Sequence, residues 1–308
     1  MSIGRRIFAV TVFPVVLGGS VAWALLALQR GVSPEKAILG PTVVPALLLI
    51  VLEHVFPYHR SWLRNHDDLG VDVAYLAWSG LFAGLAQGGV YLAIAPAAVW
   101  LSGRVGAPLW PQAWPLLAQL VLALVVAELP KYWFHRLEHE HDWLWRIHAT
   151  HHSVPRLYWV NAARFHPLDI AIDTGLGLAV LVFLGCGAKV IALFLLVSAV
   201  HGYFQHANLE LRLGPLNWFF SMAELHRWHH SKTVREANHN YGQNLIVWDW
   251  VFGTRFLPVD REPPEETGLA GLPAFPSTFW AQQLSPFRWA RIKAASLGSD
   301  SYEVLPGA

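Results

Sequence analysis

Residues 135–152 read HRLEHEHDWLWRIHATHH. His135 and His139 stand four apart, and His148, His151 and His152 follow at i, i+3 and i+4. At about 3.6 residues per turn each set occupies one helix face, close enough for its imidazoles to converge on a metal ion. HRWHH at 226–230 repeats the second pattern with His226, His229 and His230. Two copies of H-x-x-H-H in one chain of 308 residues are hard to produce by accident. Between them HGYFQH places His201 and His206 five apart, about 140° around an ideal helix. That spacing means either that the two address different metals or that their helix carries a π-bulge. One metal cannot use ten imidazoles, whereas two metals, each with an open position, can. Neutral imidazole suits iron, zinc, copper and nickel, so ligand type alone does not choose among them.

Other histidines and acids divide into support and bystanders. His54, His59, His66 and His141 read as packed or hydrogen-bonded residues. His166 and His239 stand between support of the metal ligands and simple packing. Glu128 lies two helical turns before His135 on the same face and is a candidate to accept a ligand's second N–H; Glu224 and Asp249 are weaker ones. An acid inside an apolar run is a functional suspect by default, with pairing to Lys131 as the alternative for Glu128.

The runs around these motifs are those of a membrane protein. The chain is 54% hydrophobic and only 14% charged, with a mean hydropathy of +0.36, where a soluble chain carries about a quarter charged residues. A net charge of +1 argues against nucleic acid as a partner. The lone Cys186 excludes an internal disulfide, a C-x-x-C zinc site and a cysteine-bound iron–sulfur cluster. Ile7–Leu28, Ala37–Phe56 and Val73–Gly103 are long enough to cross a hydrocarbon core of about 30 Å. The first lacks the short apolar core and small-residue cleavage site of a secretory signal. A fourth helix from Trp114 to His139, about 39 Å long, should outrun the bilayer and hold His135 and His139 at its surface.

Leu168–Ala207 is split at Gly185-Cys186-Gly187-Ala188-Lys189. Read as one span, it would separate the histidine windows by a membrane. Read as a helical hairpin, it brings them to one side, and the histidine pattern favours the hairpin. Positive charge tests this independently, because Lys and Arg collect in cytoplasmic segments. With the N-terminus inside, four spans and the hairpin leave only Arg30, Lys36, Arg104 and Lys189 of the 22 Lys and Arg outside. The expectation is an all-α, multi-pass membrane bundle with a cytoplasmic histidine-rich helical cap and both termini cytoplasmic. Residues 1–113 form an N-terminal transmembrane region, 114–257 the catalytic region with its hairpin at 168–207, and 258–308 a Pro-rich tail. In that tail FWAQQLSPFRWARIK reads equally as an interfacial segment or a surface loop.

Competing metal chemistries fit poorly. H-E-x-x-H is absent, against a zinc protease. A carboxylate-bridged di-iron site needs two E-x-x-H motifs on long helices; Glu138 with His141 and Glu236 with His239 have the spacing, but the second pair lies in an Asn- and Gly-containing segment. Bis-histidine haem would place its ligands within the membrane rather than crowd them at helix ends.

HRLEH, LWRIHATHHS, NAARFHP, HGYFQHANL, HRWHHS and NYGQNLIVWDWVFGT, in this order from about Glu128 to Phe256, resemble the successive motifs of the fatty acid hydroxylase and sterol desaturase superfamily. The resemblance implies an integral-membrane oxygenase with two iron ions and O2 as co-substrate; an all-imidazole site would also accept zinc in place of iron. It implies His135, His139, His148, His151, His152, His201, His206, His226, His229 and His230 as ligands, with the NYG and WD elements, including Asn240 and Asp249, as support. The implied reaction is hydroxylation or desaturation at a C–H bond of a fatty acyl, sterol or related lipid. Carotenoid or ether-lipid oxygenation and a non-catalytic metal-binding protein or transporter are the alternatives. No G-x-G-x-x-G follows a strand and a single cysteine cannot hold an iron–sulfur cluster, so an external electron donor is expected, a ferredoxin or small cytochrome with its reductase.

Overall fold

The computed structural model of the chain describes residues 2–297, which fold into helices joined by short irregular segments, with isolated β-bridges in place of any strand. The last residues of the tail, and the C-terminus expected to be cytoplasmic, lie outside the described residues. Five helices are long and apolar enough to cross a membrane: α1 (Ile3–Gln29), α2 (Pro34–Val55), α3 (Leu69–Val105), α4 (Leu116–Glu140) and α7 (Ala188–His206). The most apolar window of α3 is only 6% buried within the protein. Leu85, Leu92, Val99 and Trp100 on that helix point outward, an apolar surface that a water-facing helix does not sustain. Proline lies inside α1, α2, α3 and α4 without ending any of them.

The expected hairpin is present, but its arms differ. α6 (Pro167–Phe183) has 17 residues, fewer than the spans, and carries buried Asp169 and Asp173. It ends as glycine directs: Gly185 takes φ +79°, the Gly185 N–H reaches the Val182 carbonyl at 3.0 Å and the Cys186 N–H reaches Leu181 at 2.9 Å. These two bonds cap the helix and turn the chain toward α7. The arms find their main partners elsewhere, α6 on α3 and α4, and α7 on α1, α2 and α4. α4 thus lies at the centre of the bundle, buried along Ala123, Ala127, Glu128, Tyr132 and His135. Lys131 of α4 runs its stem past Gly177 of α6, where a Cβ would come within 3.0 Å of it, and pairs with Asp173 at 3.1 Å.

Three buried polar ties fasten the segment between α5 (Asp142–His152) and α6 to the ends of α2 and α3. Arg156 pairs with Asp68 at 2.8 Å. Arg164 pairs with Asp72 at 2.6 Å, which also accepts from the Tyr158 hydroxyl at 2.6 Å. Glu53 accepts the backbone N–H groups of Trp159 and Asn208 at 2.8 and 3.0 Å. These ties hold α5 over the end of α4.

The tail is more ordered than its composition suggests. α9 (Phe279–Gln283), a 3₁₀ turn at Ser285–Arg288 and α10 (Trp289–Leu297) fold back so that Trp289, Ile292 and Leu272 pack on Ala149 of α5. Trp280 and Phe287 remain exposed on their outer side.

Because Asp72 is fully buried, Arg164→Leu should destabilise the protein by about 3–5 kcal/mol through the carboxylate left unpaired. Thermal unfolding in detergent should show this as a large fall in Tm, and the double variant Asp72→Leu/Arg164→Leu should recover much of it.

Candidate metal centre

Every element that carries a clustered histidine ends at one place. α4 brings His135 and His139, α5 brings His148, His151 and His152, the last residue of α7 is His206, and α8 (Ala223–His229) with the residue after it brings His226, His229 and His230. Their donor atoms form two sets. His135, His139, His148, His152 and His229 make one and His151, His206, His226 and His230 the other, each with its ligand atoms within 4.8 Å of one another. The i, i+3, i+4 triplets are therefore shared: in both, the last two histidines point to different sets.

The hydrogen bonds fix which nitrogen of several rings is free. His135 Nδ1 lies 2.7 Å from the Tyr241 carbonyl and His229 Nδ1 lies 2.8 Å from the His239 carbonyl. Carbonyl oxygens only accept, so each Nδ1 carries the proton and each Nε2 keeps its lone pair. His148 Nδ1 donates to Asp169 at 3.0 Å, and His206 Nδ1 to Asn161 Oδ1 at 2.8 Å. His139 Nδ1 faces Asn238 Oδ1 at 3.2 Å. The Nε2 atoms then face one another: His135 and His148 at 3.1 Å, His152 and His229 at 3.1 Å, His206 and His226 at 3.0 Å, His230 with His151 at 3.1 Å and with His226 at 3.0 Å. In the His135–His148 pair both facing atoms are lone pairs, which repel unless a cation lies between them. Nitrogens bound to one metal at about 2.1 Å stand about 3.0–3.4 Å apart, so both sets fit a metal ion.

Burial supports the same state of protonation. In α5 and α8 desolvation, followed by the neighbouring rings, pushes His148, His151, His152, His226, His229 and His230 well below the ordinary histidine pKa. They are neutral at pH 7 and able to ligate. Phe165 stacks on His151 with ring centroids 4.3 Å apart and fixes its plane.

A supporting shell holds the rings in place. Asn240 takes a left-handed φ of +58°; its side chain binds the Leu225 and Phe256 carbonyls at 2.9 and 2.7 Å and the Phe256 N–H at 2.7 Å. Asp249 accepts the Tyr241 and Gly242 N–H groups at 2.8 and 2.7 Å and the Thr254 hydroxyl at 2.7 Å. Burial pushes its pKa up to about 6, so it remains the ionised acceptor at pH 7. It thereby aims the Tyr241 carbonyl at His135. Gly242 is required there, since a Cβ would lie 2.2 Å from the Leu245 carbonyl.

Several expectations change. Glu128 does not take a histidine N–H; it binds the backbone N–H groups of Gln243 and Asn244, while Lys131 pairs with Asp173 instead. Glu224 holds the Leu213 N–H and Asn217 at 2.8 Å. His166 caps α6 by accepting the Leu168 N–H and faces the Gln283 carbonyl at 3.2 Å. His239 contributes its carbonyl, and its ring packs on Phe256. The largest difference is His201, which belongs to neither donor set. α7 continues as a regular α-helix to His206 without a π-bulge, so the five-residue offset turns His201 away, against Phe13 and Phe220. Asn161, Glu138, Asp169 and Asn238 join the support with no signal in the sequence that marks them. Asn161 lay within the quoted NAARFHP motif, but nothing in the letters said which ring it would meet. His54, His66 and His141 are exposed, and His59 is drawn to Glu265 at 3.7 Å.

With this geometry in view, known proteins supply the kinship. A family profile described as fatty acid hydroxylase matches residues 120–254. Ornithine lipid hydroxylase OlsE of Rhizobium tropici is 38% identical over 252 residues, covering 78% of this chain and 72% of its own. The chain belongs to the fatty acid hydroxylase and sterol desaturase superfamily. Human alkylglycerol monooxygenase is 28% identical over 194 residues, 59% of this chain and 42% of its own. Methylsterol monooxygenase 1 of Gallus gallus is 27% identical over 148 residues, 47% of this chain and 48% of its own. No solved structure matches. An integral-membrane oxidoreductase follows from this kinship and from the five apolar helices.

His229→Ala and His206→Ala should each lower the metal content of the purified protein, measured by plasma mass spectrometry. His141→Ala and His201→Phe should leave it unchanged. Equal loss in His201→Phe and His206→Ala would return His201 to the donor set.

Proposed function

We propose that this protein is a lipid hydroxylase that holds two iron ions, one in each histidine set, and inserts one atom of O2 into a C–H bond of a membrane lipid. The observation that carries this is the convergence of lone-pair nitrogens in two adjacent sets at the end of the central helix. Bound iron would supply the reduction of O2 and the oxidation of the C–H bond. One oxygen atom enters the lipid and the other leaves as water, which consumes two electrons and two protons from outside. The chain's own part is to hold the rings through Tyr241, His239, Asn161 and Asp169, and to bury the site away from water.

The match to the ornithine lipid hydroxylase is longer and closer than those to the ether-lipid and sterol enzymes, which favours an acylated amino-acid lipid as the substrate. The relatives' names support hydroxylation over desaturation. α4 is 25 residues long, about 38 Å, so its last turns stand at the edge of the hydrocarbon. The few positive charges on the opposite side, Arg30, Lys36, Arg104 and Lys189, favour a cytoplasmic site fed by a ferredoxin or small cytochrome with its reductase. Residues 114–257 would then be the catalytic region and 1–113 its membrane base.

Membranes from cells expressing the protein should contain lipids heavier by one oxygen atom than those from cells expressing His151→Ala. With ¹⁸O2 the label should appear in the lipid, and reconstituted protein should need the donor pair as well as NADPH. Unchanged lipids with every donor tried would favour a non-catalytic metal protein. In a Cys186→Ser background, Arg235→Cys should react with impermeant reagent only from the cytoplasmic side and Arg104→Cys only from the other; the reverse would overturn the topology.

A further inference from the structure

Glu138 and Asp169 are 2% and 1% exposed, and both face His148 Nδ1, at 3.3 and 3.0 Å. Among the described residues neither makes an ion pair with Lys or Arg; the nearby Lys131 is engaged by Asp173. The two carboxyl groups also face each other, within hydrogen-bonding reach, and one Glu138 oxygen meets no N–H donor. Two carboxylates buried in this way are costly unless a positive charge stands close by. A single imidazole N–H does not meet that need. His148 presents its other nitrogen to the five-histidine set, so a cation held there lies one imidazole ring away from both carboxylates.

The four-histidine set has no such partner. His206 leans on the neutral amide of Asn161, His151 meets only the Arg164 backbone, and the Nδ1 atoms of His226 and His230 have no hydrogen-bond partner. We infer that Glu138 and Asp169 are positioning residues that clamp His148 and compensate the charge of one metal, making the five-histidine site the tight one and the four-histidine site the exchangeable one. A carboxylate behind a ligating imidazole raises its basicity and fixes its tautomer. The proposal rests on the two-metal reading above, and the metal content of the unmodified protein tests that reading separately.

The test is stepwise removal of iron from the purified full-length protein by a graded chelator, with bound iron counted at each step. The unmodified protein should lose its iron in two phases, and His206→Ala should lack the looser one. Asp169→Asn should move the tighter phase about 10- to 100-fold toward weaker binding and leave the looser phase in place, while Asp169→Glu should restore much of the difference. Glu138→Gln keeps the Asp169 contact with His148 and should give a smaller shift of the same phase; it decides the matter if Asp169→Asn does not fold. An unmoved tight phase in these variants, or a shift confined to the phase that His206→Ala removes, would overturn the clamp while leaving the two-metal reading intact. Fewer than two iron ions in the unmodified protein would overturn both.

Discussion

The structure depends on imidazole nitrogens brought to about 3 Å from one another in a place that water does not reach. Hydrogen bonds to carbonyl, amide and carboxylate oxygens leave several of those nitrogens with lone pairs, so they repel in the absence of a cation. Holding them there takes rigid support from every side. The buried pairs Arg156–Asp68 and Arg164–Asp72 fix the segment after α5, and Glu128 and Asp249 fix the loop at 240–244. α4 occupies the centre because it must both pack the bundle and end at the site.

Much of this was legible in the letters. Spacings of three and four residues on a helix define a face whatever the fold, so His135/His139 and the two H-x-x-H-H motifs meet at one place, although each triplet is divided between the two donor sets. The hairpin was legible as well, because Gly185 stands where a helix must stop and the two histidine windows are useful only on one side. Its unequal arms were not, since apolar length says nothing of Asp169 and Asp173 being turned inward on α6.

The rest depends on contacts between distant segments. A five-residue offset points two side chains about 140° apart on an ideal helix, and only packing against Phe13 and Phe220 decides that His201 turns away rather than bending α7. Glu128 lies on the face its spacing predicts but meets backbone N–H groups instead of a ring. The partners of His135 and His229 are main-chain carbonyls, which every residue possesses and no composition reveals. Glu138 and Asp169 meet His148 across a helix boundary, a pairing with no periodic signature.

X-ray absorption at the iron edge of the iron-loaded, purified protein tests the two-metal centre most directly. Two iron ions per chain are expected, with a first shell of nitrogen and oxygen at about 2.1 Å, the outer-shell scattering of several imidazoles and no haem signature. One iron per chain, or a shell with few imidazoles, would contradict it.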